Sequence, residues 1–210
     1  IQDITELKRA ETRKALHTAR LQTLLELSSL SGEPIDTIMD FARKAGLAIT
    51  NSRYSFIGRV HDDESVLTIH SWSDQVMDDC RMQNTQISFP IDSTGLWGMI
   101  VKTRTPVLCN DYEADRGGDI FPAGHVPITR FLGIPVIKDD RVVAICAVAN
   151  KIEEYQDDDV QALTILGNET FDLISQKLDK EALIRSEERY RLIIENQRDF
   201  IIKIGVDGVF

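Results

Sequence analysis

The 210-residue chain has little of what would make it secreted, membrane-spanning or bound to nucleic acid. Its three cysteines, Cys80, Cys109 and Cys146, are an odd number at wide spacing, which argues against a disulfide framework and fits a reducing compartment. The longest apolar run, Val142 to Ala149, falls far short of the roughly 20 residues a membrane helix needs, and no basic-then-apolar start suggests a signal peptide. Positive charge is scarce: 24 Lys and Arg against 34 Asp and Glu leave a net charge of -10. Such a field repels a phosphate backbone or an anionic membrane surface, so neither nucleic acid nor direct membrane contact is expected. A cytoplasmic location is expected, with room for a membrane anchor elsewhere in a parent protein.

With 42% hydrophobic residues the chain buries a sizeable core without disulfides or metals. Ile4 to Leu30 has neither Gly nor Pro, and Leu16, Leu21, Leu24, Leu27 and Leu30 predict a helix ending at Ser31-Gly32. A second amphipathic helix is predicted over Ile35 to Ile49. Tyr54 to Val60 and Val66 to Trp72 are β-rich runs around His61-Asp62-Asp63-Glu64 and predict a hairpin. A strand at Gln86 to Ile91, a short helix over Gly95 to Thr103 and a brief strand at Pro106 to Cys109 follow. Phe131 to Ile137 and Arg141 to Asn150 predict two more strands around Lys138-Asp139-Asp140, with Pro135 pointing to an edge or irregular position. Asp157 to Asn196 lacks proline, has Gly167 as a weak point, and places Val160, Leu163, Phe171, Ile174 and Leu178 at helical steps.

These elements compose an α+β fold, an antiparallel sheet with helices packed on one face and long terminal helices. Between the third helix and the last two strands, Asn110 to Thr129 carries Gly117, Gly118, Pro122, Gly124 and Pro127 with no period. Irregular connections of that length are uncommon in compact domains and often serve as binding loops.

The stretches GLWGMIVKTRTPVLCNDY, Gly95 to Tyr112, and FPAGHVPITRFLGIPVIKDDRVVAICAVANKIEEYQDDDVQAL, Phe121 to Leu163, resemble GAF domains of PAS-rich signalling proteins. The resemblance covers residues 24–178. Residues 1–11 resemble the closing end of a preceding PAS domain, and 186–210, SEERYRLIIENQRDFIIKIGVDGVF, the first helix and strand of a following one. Residues 12–34 then form a connecting signalling helix and 179–192 a linker helix. The resemblance implies a sensory module of a multidomain protein, a sensor histidine kinase first and a diguanylate cyclase or phosphodiesterase second. A ligand-free dimerisation and relay module is a third reading. The expected partners are a second copy, joined through the terminal helices, the flanking PAS domains and a downstream output domain.

Apolar walls with a few convergent polar groups make a small-molecule site, and Trp72, Trp97, Tyr112 and Phe131 are candidates for the walls. Asp111, His125 and Arg130 are candidates for polar recognition. His125 could also ligate haem iron, and Cys80, next to Arg81, is the one cysteine with a local cation for a reactive thiolate. No Cys-His dipeptide, and no loop cysteine beside His125, provides a bilin attachment, so a small-molecule ligand of unspecified identity is expected rather than haem or a bilin. No second ligand stands at metal spacing from any histidine, so no zinc site is expected. Asn150-Lys151, Tyr155 and Asp159 are similar to the Asn-Lys-Phe-Asp-Glu signature of cyclic-nucleotide-binding GAF domains, with Val160 where that signature ends in Glu. The alternative is structural: Lys151 pairs with Asp159 and pins the last strand to the last helix. No nucleophile elbow, phosphate loop or zincin helix is present, so the segment is expected to be non-catalytic.

Overall fold

The computed structural model describes residues 2–73, 88–112 and 126–205. Helix α1 (Gln2–Ser29) runs into a single 3-10 turn, Leu30–Gly32, and helix α2 (Ile35–Thr50) follows. Asp36 lies in the first turn of α2, where a negative charge suits the helix dipole, and Asn51 ends the helix in the left-handed conformation at φ 51°. Strands β1 (Tyr54–Val60), β2 (Val66–Trp72) and β3 (Ser88–Pro90) form a meander. Helix α3 (Leu96–Thr103) begins after Gly95, whose φ of 53° and ψ of -116° only glycine adopts readily. Strands β4 (Val107–Cys109), β5 (Phe131–Lys138) and β6 (Arg141–Ala149) complete the sheet, and helix α4 spans Asp157–Gly205.

The six strands are ordered β3-β2-β1-β6-β5-β4, and every neighbouring pair is antiparallel. Pro135 lies where β5 has run past β4, which pairs only as far as Gly133, so the missing N–H sits at an open stretch of edge.

The α+β class and the antiparallel sheet agree with expectation, but helices cover both faces of the sheet rather than one. Phe56, Ile145 and Ala147 share one apolar cluster with Leu96, Ile100 and Val101 of α3. On the reverse face, a β-carbon placed on Gly167 of α4 would meet Ile134, Cys146 and Val136, and one on Gly46 of α2 would meet Leu163 and Val148. Strand β6 is buried at six consecutive positions, Ala144 to Ala149, and a strand without a solvent face needs cover on both sides. Gly167, the weak point of the helix by propensity, is where α4 lies closest to the sheet.

A polar clamp closes the sheet end that carries the hairpin turns. Glu64 Oε1 accepts the Val142 N–H at 2.6 Å, and Glu64 Oε2 lies 3.2 Å from Arg104 Nη2. Arg104 Nη1 reaches Asp140 Oδ1 at 3.0 Å. Glu64, Arg104, Asp139 and Asp140 all have positive φ, between 48° and 59°, so this clamp is built from strained turn residues.

The chain divides into two compact units, Ile1–Phe171 and Asp172–Phe210. The second is the later course of α4, with Leu178, Leu183, Ile184, Tyr190, Leu192, Ile193 and Ile194 exposed. It also carries pairs one turn apart, Lys177 with Glu181 and Arg191 with Glu195. The helix continues to Gly205, whereas the PAS-like flank implies a strand from Phe200 onward. At the other end α1 is helical from Gln2 to Ser29, close to the helix expected over Ile4 to Leu30. No helix among the described residues is long and apolar enough to cross a membrane.

Gly98 in α3 faces the carbonyl oxygen of Ile91 so closely that any β-carbon there would overlap it. Gly98→Ala is therefore expected to destabilise the chain by about 1–3 kcal/mol or more, measured as a drop in the urea midpoint at unchanged slope.

Candidate ligand-binding site

The α3 face of the sheet gathers four aromatic rings. Trp72, at the end of β2, lies 5.3 Å from Phe56 of β1 and 6.0 Å from Trp97 of α3, centroid to centroid. Trp97 meets Phe56 edge-on at 4.8 Å and Phe89 of β3 at 5.3 Å. Tilted and edge-on contacts at such distances suit the ring quadrupoles. Phe131 belongs to the same cluster, and Tyr112 and Ile128 pack against it, while Trp72 also touches Tyr54, Val126 and Ala149. The indole Nε1 of Trp72 is buried and has no hydrogen-bond partner among the described residues. A buried, unpaired donor costs about 1–3 kcal/mol.

The structure thus brings Trp72, Trp97, Tyr112 and Phe131 to one face. Asp111 is exposed beside Tyr112, whose N–H donates to the Thr129 carbonyl at 3.0 Å. Arg130 is half-buried and donates from Nη1 to the Lys151 carbonyl at 3.3 Å, so its guanidinium serves the connection between β6 and α4. His125 and Cys80, and with them the candidate haem and thiolate positions, lie outside the described residues, as does most of the Gly/Pro-rich connection. Phe56 and Phe89 were not singled out from the sequence, because an aromatic in a strand reads there as ordinary core.

The signature residues are spent on internal bonds. Lys151 Nζ is 2.7 Å from Asp159 Oδ2, and both side chains are buried to within 15% and 6% of full cover. The same carboxylate oxygen accepts the Gln156 N–H at 2.9 Å, the carboxylate half of a capping box at the start of α4. Asn150, in the left-handed conformation at φ 58°, accepts the Thr129 N–H at 2.8 Å and donates to the Pro127 carbonyl at 2.7 Å. Tyr155 is 1% exposed, and its hydroxyl shares a 2.8 Å hydrogen bond with Ser52. Burial pushes the Tyr155 phenol up to about 12, the Ser52 bond opposing it.

Cys109 is buried in the aromatic cluster, and Cys146 is buried on the reverse face, where desolvation pushes its thiol up to about 12. A thiol held protonated in this way is not a nucleophile at neutral pH. Among the described residues no three His, Cys, Asp or Glu side chains are grouped to hold a metal.

Lys151→Met would leave the Asp159 carboxylate buried and unpaired, so a loss of about 3–5 kcal/mol is expected by urea unfolding. A lysine reserved for a ligand would cost far less, and Lys151→Met with Asp159→Leu should recover much of the stability.

Comparison with known proteins agrees with this architecture. The GAF domain family profile matches residues 32–174. The chain is 39% identical over 184 residues to the methyl sulfide methyltransferase-associated sensor of Methanosarcina acetivorans; the match covers 86% of the chain and only 18% of that protein's length. Among solved structures, the GAF domain of a Coxiella burnetii phosphoenolpyruvate-protein phosphotransferase superposes with a TM-score of 0.62 at 13% identity, covering 79% of this chain and 98% of that one. The phycoerythrobilin-bound GAF domain of a cyanobacterial phytochrome gives 0.58 at 11% identity, covering 79% and 99%. At these identities the structures speak for the fold alone. With the family profile spanning well over half of its residues, the chain belongs to the GAF domain family.

Proposed function

We propose that this GAF domain is a non-catalytic sensory module of a larger signalling protein, which binds a small, flat, mostly apolar ligand against the α3 face. The binding is relayed to an output domain through α1 and α4. The observation that carries the reading is the pairing of two tryptophans and two phenylalanines around a buried indole donor that no described residue satisfies. A ligand that parts these rings and offers an acceptor to Trp72 gains both stacking area and the missing hydrogen bond. That the relative in Methanosarcina acetivorans is named a sensor, and is several times longer than the region shared, supports a module serving an output elsewhere. A sensor histidine kinase is the output proposed, by analogy with the company GAF and PAS modules keep.

One observation favours the relay module that binds nothing: the four rings already touch one another, and Trp72 Nε1 is sealed from solvent. Intrinsic fluorescence separates the two readings, because Trp72 and Trp97 are the only tryptophans and both stand on this face. The chain is titrated with cyclic AMP, cyclic GMP, haemin, nitrate and indole. Ligand binding predicts a saturable change in emission with at least one planar compound, and about 2.7 kcal/mol of added stability at a hundredfold excess over Kd. A panel in which nothing saturates leaves the relay reading standing.

The relay is proposed to run through a homodimer. Leu21 and Leu25 of α1 and Leu183, Ile184, Tyr190 and Ile193 of α4 are exposed, and such helices gain by burying their apolar side chains against a second copy. Sedimentation equilibrium should give twice the 23.7 kDa chain mass. A monomer at every concentration removes the dimer from the proposal.

A further inference from the structure

Seven residues, Asn150 to Gln156, lead from the end of β6 to the start of α4, and a side-chain amide holds each end of that connection. At the near end Asn150 ties itself to Pro127 and Thr129, on the approach to β5. At the far end Asn110 donates from Nδ2 to the Tyr155 carbonyl at 3.1 Å and accepts the Tyr155 N–H at its Oδ1 at 2.8 Å. Both backbone groups of one residue are thus bonded to one side chain 45 positions away. A primary amide is the group that can do this, since it presents a donor and an acceptor side by side.

Asn110 lies between two residues of the aromatic face. It follows Cys109, which is buried in the ring cluster and opposite Phe131. Two residues later comes Tyr112, packed on the same cluster and bonded to Thr129. Tyr155 in turn is fixed to the first turn of α4. Gln156 caps that turn, its carbonyl accepting from Asp159 and Val160 and its N–H donating to the Asp159 carboxylate.

We infer that Asn110 is the positioning residue that couples the aromatic face to the start of α4, resting on the reading of that face as the sensory site. A displacement of the β4–β5 edge then pulls Tyr155 and α4 with it, because the short Asn110 side chain is held at both its donor and its acceptor by the Tyr155 backbone. Asn110→Asp keeps the size and the acceptor but sets an oxygen against the Tyr155 carbonyl, and so breaks half of the bracket. Ser52→Ala removes the hydrogen bond between the Tyr155 hydroxyl and the segment just after α2, and leaves the bracket whole.

The test uses the full chain with ¹⁵N-labelled indoles, whose two side-chain resonances belong to Trp72 and Trp97. Asp159→Asn disturbs the first turn of α4 and should displace at least one indole resonance when Asn110 is present. In the Asn110→Asp background that displacement should fall by half or more, and in the Ser52→Ala background it should persist. Lys151→Met, which opens the same ion pair from the other side, replaces Asp159→Asn if that variant does not fold, and Asn110→Ser replaces Asn110→Asp on the same terms. The coupling is overturned if the indoles do not respond to the α4 change, respond equally with and without the Asn110 amide, or lose the response just as much in Ser52→Ala. No ligand takes part, so failure here leaves the fluorescence titration to judge the ligand reading separately.

Discussion

The structure depends on the burial of β6 on both faces. A strand with no side for water fixes where everything else goes: α3 must cover Ile145 and Ala147, and α2 and α4 must cover Cys146 and Val148. Its neighbours β1 and β5 are held in register along most of its length, so the three central strands form one slab. The outer strands are short, three residues each for β3 and β4. The short outer strands, and not the slab, are therefore the least constrained part of the sheet.

That division orders the site. The aromatic rings come from the outer elements as much as from the centre: Phe89 from β3, Trp72 from the end of β2, Trp97 from α3, with Phe56 as the fixed member. The bonds of Asn110, Asn150, Lys151 and Tyr155 all fall at the same end of the sheet, around the route from β6 to α4. A signature similar to that of nucleotide-binding relatives is used here as a fastening for the last helix, which is a physical reason for residues to recur at that spacing without touching a ligand.

Much of this was legible in the residues. Alternation and turn chemistry placed β1 and β2 at their observed limits, and β5 and β6 within one residue of them, because hairpins with polar tips leave little freedom of register. The cover on both faces is legible too, in the unbroken apolar run of Val142 to Ala149, although the order of elements alone suggested helices on one face. The continuation of α4 past Phe200 was not legible, since Phe-Ile-Ile suits a strand wherever a sheet receives it and a helix where none does. For the site, Trp72 and Trp97 stood out by rarity, whereas Asn110 did not. Its role comes from a partner 45 positions distant, and no periodicity records such a pairing.

The clamp of Glu64, Arg104 and Asp140 lies at the end of the sheet away from Trp72 and the Tyr155 bracket. It joins the C-terminus of α3 to the tips of both hairpins, so those three pieces cannot slide past each other there. A body pinned at one extremity yields by rotation about the pin, with amplitude growing toward the loose extremity. The strained turns would then serve as a fulcrum about which α3 swings, with Trp97 at its far end.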